Sequence, residues 1–286
     1  MDIPDSDNEA NSRRTKKGKP RGALGAPAAA ALCFAAAMLL YHIPLGSSMA
    51  ADALHACLAG VAALVCLALW AGRGTTSGDD RHPAAPHNSL AGLIGLLCLV
   101  GALASVAVPL ATGSSEGAGA VSAWAPPQGS PALLAVLAAS CLGTAVWEEI
   151  AFRRLAMEAV TGALEEGRAR RLMAACVCSA VFAMLHLPEM GATLPTALRA
   201  AQVFLFALAM AGLVEQTDRL APAIAAHALY DAICFAPAVL GISGSVWEIS
   251  ASSLMALETS ISGMLASLLF LAPAAALGVR RFLAAR

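Results

Sequence analysis

PALLAVLAASCLGTAVWEEIAFRRL, residues 131–155, decides what kind of fold this chain makes. It begins with seventeen residues that carry no charge, close to the run an α-helix needs to cross a hydrocarbon core of about 30 Å at about 1.5 Å per residue. Two carboxylates and two guanidiniums follow at once. The rest of the chain has the same character: 58% of its 286 residues are apolar and 13% charged, against about 45–50% and 25% in a soluble domain. These proportions exclude an ordinary soluble fold. A net charge of −1 gives no basic excess of the kind that marks nucleic acid as a partner. Cys33, Cys57, Cys66, Cys98, Cys141, Cys176, Cys178 and Cys234 sit almost entirely inside apolar runs with no CxxC pair, so they read as small apolar residues rather than a disulfide framework.

Working outward, residues 1–22 mix four acids with six bases and have no apolar spacing that could build a core, which predicts a disordered tail. Apolar runs of membrane-crossing length then follow near 23–45, 51–72, 89–111, 131–155, 171–187, 195–215, 220–241 and 260–279. The expected fold is therefore all-α, a polytopic membrane helix bundle of about eight transmembrane helices spanning residues 23–286. The first run exceeds the apolar core of about 7–15 residues in a signal peptide, so it is expected to stay as an anchor. With a cytoplasmic tail, all but one of the 18 Lys and Arg residues fall on the cytoplasmic side. That separation follows the positive-inside rule and predicts a cell-membrane protein, in contact with membrane lipid, with both termini cytoplasmic. The exception is Arg199, inside the sixth run, which could partner one of the acids.

Charges inside a span cost about 2.5–3.5 kcal/mol each on insertion scales and normally face the protein interior. Three segments carry such groups. In VWEEIAFRR, residues 146–154, Glu149 and Arg153 are one helical turn apart and can pair, while Glu148 is turned by about 100°. VFAMLHLPE, residues 181–189, places Phe182 one turn before His186. LAPAIAAHALYDAI, residues 220–233, sets His227 and Asp231 one turn apart. Glu148 and His186 are each nineteen residues from Gly167. A helical hairpin turning there brings both to the same level, about 28 Å from the turn. His227 is eight residues past Arg219, only about 12 Å by the same rise, so the levels agree if the hairpin projects into the cytoplasm.

A carboxylate facing an imidazole in a dry pocket can hold and deprotonate water. Glu148 is the expected general base and His186 the group that positions the water. His227 and Asp231 would donate or relay hydrogen bonds to the oxyanion formed when that water attacks a peptide carbonyl, with Asp231 either holding His227 in its donor tautomer or, when protonated, donating itself. The alternative is zinc, held by Glu148, His186 and His227 with Glu149 as base. No HExxH is present, and metal-free catalysis without a cofactor is the preferred expectation.

EExxxR in one membrane helix, FxxxH in the next and HxxxD two helices later resembles the CPBP family of intramembrane proteases. That family includes the CAAX prenyl endopeptidases and the Abi-like bacteriocin-processing or self-immunity proteins. Glu148, Glu149 and Arg153 match the first motif, Phe182 and His186 the second, His227 and Asp231 the third, within a core of about residues 131–242. The resemblance implies glutamate-dependent proteolysis within the bilayer, on membrane-associated or lipid-linked protein or peptide substrates. The first Glu and first His would activate water, and the later pair would support the oxyanion. The CAAX enzymes of eukaryotes have Asn where this chain has Asp231. Two other functions compete: a non-catalytic immunity or scaffold protein, and a transporter with a Glu148–His186–Asp231 proton relay. No internal repeat of the transporter kind is visible.

Overall fold

The computed structural model describes residues 49–71, 88–112, 131–165, 167, 169–187, 193–239 and 261–284. The expected tail, 1–22, and first apolar run, 23–45, lie outside the described residues. Among those described the secondary structure is helical, with no strand. The helices are α1 (Met49–Ala71), α2 (Asn88–Thr112), α3 (Pro131–Ile150), α4 (Met157–Ala163), α5 (Arg170–Leu185), α6 (Leu194–Thr217), α7 (Ala221–Val239) and α8 (Ile261–Ala284). A π-helical segment, Ala151–Ala156, joins α3 to α4 without a break. Each apolar run after the first becomes a helix within a few residues of its expected bounds, and the fourth continues past its own limit to Ala163.

The protein is an all-helical membrane bundle. Four described stretches are long and apolar enough to cross a membrane: Ser89–Pro109, Leu134–Ala163, Leu194–Thr217 and Ile261–Ala284. Cys57–Leu69 and Ala221–Phe235 are shorter apolar stretches, and α5 has 16 residues. The described helices do not establish the expected count of eight spans. Large apolar side chains point outward, with Met184 at 70% and Leu269 at 75% exposure. Water would penalise such faces, whereas lipid tails accept them.

Small residues let the helices approach. In lipid the hydrophobic effect cannot drive helices together, so close backbone contact through small side chains takes over. Helix α6 packs most extensively on α8, and α8 on α2. A methyl group at Gly212 of α6 would collide with the Gly278 Cα of α8, and one at Gly263 of α8 would lie 2.6 Å from the Ser105 carbonyl oxygen of α2. Gln202 also meets Ser267, so the pairings of α6 with α8 advance in the same direction on both helices, which therefore run parallel. Thr193 caps the start of α6 by accepting from the Thr196 amide, and Asp218, with φ of 53°, turns the chain left-handed at its end. Asp is one of the few non-glycine residues that tolerate this conformation.

The Gly212 contact sets a test of the packing. Gly212→Ala should lower stability by about 1–3 kcal/mol, the usual cost of overpacking, read as a lower unfolding temperature of the detergent-solubilised protein. Gly60→Ala, with nothing within 4 Å of the added methyl, should not. Equal unfolding temperatures for the two variants would remove the α6–α8 contact as a determinant of the fold.

Candidate active site

Helices α3 and α7 bring the charged motifs together in the apolar interior. Glu148 is 1% exposed, Glu149 0%, Arg153 3% and His227 3%. The His227 ring lies between carboxylates on both of its nitrogens. Its Nδ1 is 2.9 Å from Glu149 Oε1, while its Nε2 is 3.5 Å from Glu148 Oε2 and 3.6 Å from Asp231 Oδ2. Glu149 Oε2 forms an ion pair with Arg153 Nε at 3.3 Å. An ionised carboxylate only accepts hydrogen bonds, so Nδ1 carries the proton and donates it to Glu149. Nε2 is therefore the nitrogen left for chemistry.

The ion pair between Glu149 and Arg153 is the one expected from their spacing. The expectation that Asp231 orients His227 finds a different arrangement. Glu149 holds Nδ1, and Asp231 lies on the Nε2 side with Glu148.

Three consecutive residues of the π-helical segment diverge to build the surroundings of the pair. The wider i→i+5 turn is found often at functional sites. Phe152 meets the Phe182 ring edge-on at 5.0 Å. The Arg153 guanidinium carbon lies 5.3 Å from the centre of the Phe182 ring, within cation–π range. Arg154 reaches the α6–α7 corner, donating to the Asp218 carbonyl at 3.2 Å. That contact resolves the mismatch in depth noted from the sequence. The level of the corner is met by Arg154, six residues (about 9 Å) from Glu148, rather than by the distant Gly167. His227 is nine residues (about 14 Å) from Asp218 on the other strand of the comparison. The helix thus continues past the corner to Ala163.

His186 follows the last residue of α5. Its Nδ1–H donates to the Phe182 carbonyl at 2.8 Å, and its ring lies 4.4 Å from the Phe182 ring. Phe182 thereby serves both histidines, with its ring also 6.2 Å from that of His227. A cavity of about 40 Å³ is lined by Phe182 and His186 from α5, Arg199, Val203 and Phe206 from α6, and His227, Tyr230 and Asp231 from α7. One water needs about 10–15 Å³ of such space, so two or three fit. Glu148 meets this wall at His227 Nε2.

All seven residues singled out in the sequence fall in or beside this cluster. Sequence reasoning missed Phe206, whose ring meets that of His227 edge-on at 5.0 Å. It also missed the network of Gln202, Tyr230 and Ser267, in which the Gln202 amide donates to the Tyr230 hydroxyl at 3.2 Å and to Ser267 Oγ at 3.1 Å. A polar amide within an apolar run was the available signal. Among the described residues no three His, Cys, Asp or Glu side chains are grouped to hold a metal ion.

Fold and site together define the class: a membrane-integral helical bundle with a buried carboxylate–histidine centre beside a small polar cavity. Residues 130–233 match a family model described as type II CAAX prenyl endopeptidase Rce1-like. The match spans all three motifs, meets the resemblance drawn from them, and supports a protease. No curated protein and no solved structure matches the chain.

The buried pair carries its own prediction. Arg153→Met leaves Glu149 as an uncompensated buried charge and should destabilise the protein by about 3–5 kcal/mol. Pairing it with Glu149→Gln should return part of that loss. Unfolding in detergent measures both, and a double variant no more stable than the single one would show that Arg153 acts by packing alone.

Proposed function

We infer that the protein is an intramembrane endopeptidase that hydrolyses peptide bonds of membrane-associated or lipid-linked substrates with a water activated by Glu148. The observation that carries this function is the convergence of Glu148 and Asp231 on the Nε2 of a buried His227 whose Nδ1 is tied to Glu149, beside a cavity with room for water. The family match over the same residues supports it.

In the proposed mechanism Glu148 takes a proton from water as the water oxygen attacks the peptide carbonyl. His186, with Nδ1–H bound to the Phe182 carbonyl, presents Nε2 as an acceptor that orients the water. The carbonyl oxygen becomes an oxyanion. His227, set among three carboxylates, carries a proton on each ring nitrogen from the outset; its Nε2–H donates to the oxyanion and stays on the ring through the cycle, and Asp231 stabilises that charged form. The C–N bond then breaks, and the proton held by Glu148 passes to the leaving amine. Arg153 and Glu149 hold His227 in place without touching substrate. No step requires a metal. Both termini lie in the cytoplasm in this scheme, with Arg154, Arg171 and Arg219 at the cytoplasmic end of the site helices. The contacts of Arg154 with Asp218 and of Arg171 with Glu215, at one end of α6, support that placement.

Glu148→Ala should abolish peptide release, a loss of at least about 10²–10⁴-fold for a general base, while the protein stays folded in the membrane. A fully active variant would remove Glu148 as the general base, whereas absence of peptide release by the wild type would remove the protease assignment and favour the scaffold function, or transport if substrate flux then depended on Glu148. Wild-type activity should survive a strong zinc chelator unchanged. Loss on chelation with recovery on adding zinc would replace the metal-free mechanism by the zinc alternative.

A further inference from the structure

Two pairs of arginines meet at one corner of the bundle. Arg170 and Arg171 open α5, and Arg280 and Arg281 stand near the end of α8. Helix α8 runs parallel to α6, and Gly212 of α6 meets Gly278 of α8. Three residues further on, Glu215 and Arg281 therefore reach the same level. Glu215 pairs with Arg171, which brings the start of α5 to that level as well. Each arginine pair stands where a long apolar run meets polar chain, the level at which lipid phosphates lie.

This corner carries more donors than its own side chains satisfy. The first turn of α5 holds no acid, and its N-cap residue, Ala169, offers no side chain to the leading amides. A helix start is the positive end of the helix dipole, so two arginines there add to an unbalanced charge. Arg171 gives Nη2 to Glu215, while its Nε is buried with no hydrogen-bond partner among the described residues. Gln216, next to Glu215, is 3% exposed, and neither its amide nitrogen nor its amide oxygen meets a partner among the described residues. It lies one turn past Gly212, on the face of α6 turned toward α8. Buried polar groups are almost always hydrogen-bonded. An anion with several acceptor oxygens, held at the membrane surface, suits such a corner.

We propose that the adjoining ends of α5, α6 and α8 form a binding site for the phosphate of an anionic phospholipid. Guanidinium forks bind phosphate oxygens in pairs, and the start of α5 adds amide donors. The acyl chains then run along the apolar outer face of α5, where Met173 is 51% and Val177 46% exposed. A zwitterionic lipid brings a cation with its phosphate and fits an arginine-rich corner less well. The proposal does not depend on the endopeptidase function.

The test uses the full-length protein in maltoside micelles, titrated with phosphatidylglycerol, with phosphatidylcholine of the same acyl chains, or with inorganic phosphate. Native mass spectrometry counts bound lipid, and thermal unfolding reads stability. Phosphatidylglycerol should bind at least about tenfold more tightly than phosphatidylcholine and raise the unfolding temperature. Arg281→Gln should weaken that binding about fivefold, the contribution of one arginine at an anionic surface, and Gln216→Met at least about twofold. Arg219→Gln, which removes equal charge from the α6–α7 corner, should change it less than about twofold. Equal binding of the two lipids by the wild type overturns the proposal, whether or not any variant folds. Equal losses in Arg219→Gln and Arg281→Gln also overturn it, since the attraction would then be diffuse surface charge. Stabilisation by inorganic phosphate that matches that of phosphatidylglycerol overturns the assignment to a lipid.

Discussion

Three charged groups buried in an apolar bundle, Arg153, Glu149 and His227, are the constraint around which the site is built. Each would be prohibitively costly alone at 3% exposure or less. Linked as guanidinium, carboxylate and imidazole, with contacts of 3.3 and 2.9 Å, they offset one another's charge. The chain of contacts also joins the π-helical segment to α3 and α3 to α7. It fixes helix register where small apolar side chains would allow sliding, and gives the neighbouring Glu148 a defined partner.

The surroundings keep that cluster dry on most sides. Phe182 touches Phe152, His186 and His227, and Phe206 touches His227 and Tyr230. Aromatic rings meeting edge-on favour the positive edge of one over the negative face of another. The same rings place a π face beneath Arg153. Close contact of α6 with α8 through Gly212 and Gly278, and of α8 with α2 through Gly263, holds the α6 wall in place. The site thus depends on helices that contribute no reactive group.

Much of this was legible in the sequence because a charge in an apolar run has few explanations. Helix positions after the first run and the Glu149–Arg153 pair follow from hydropathy and a spacing of four, and the gathering of Glu148, His186, His227 and Asp231 from the hairpin about Gly167 together with the family resemblance of the three motifs. The π-helical segment was not legible: its residues, AFRRLA, fit an ordinary helix equally well. Nor was the joint approach of Glu148 and Glu149 to His227. Adjacent helical residues point about 100° apart, so the two carboxylates invite separate roles. An imidazole has a nitrogen on each side of its ring, and a histidine set between them can meet both. The depth of the site followed from Gly167 only on the condition that the hairpin projects past the α6–α7 corner, because the sequence does not say at which residue it does so.

Which nitrogen meets which carboxylate decides the division of labour. In catalytic triads an acid at one imidazole nitrogen fixes the tautomer, and the proton-transfer partner lies at the other. Here Glu149, neutralised in part by Arg153, occupies the first position through Nδ1, while Glu148 and Asp231 occupy the second through Nε2. In the proposed mechanism two adjacent glutamates of one helix therefore do unlike work because the ring between them is asymmetric. Exchange of their contacts would leave Arg153 beside the carboxylate that must gain and lose a proton, and a fixed cation there would hold it ionised. In that mechanism a single imidazole separates the structural acid from the reactive one, so a buried ion pair coexists, one residue away, with a carboxylate that cycles between its protonation states.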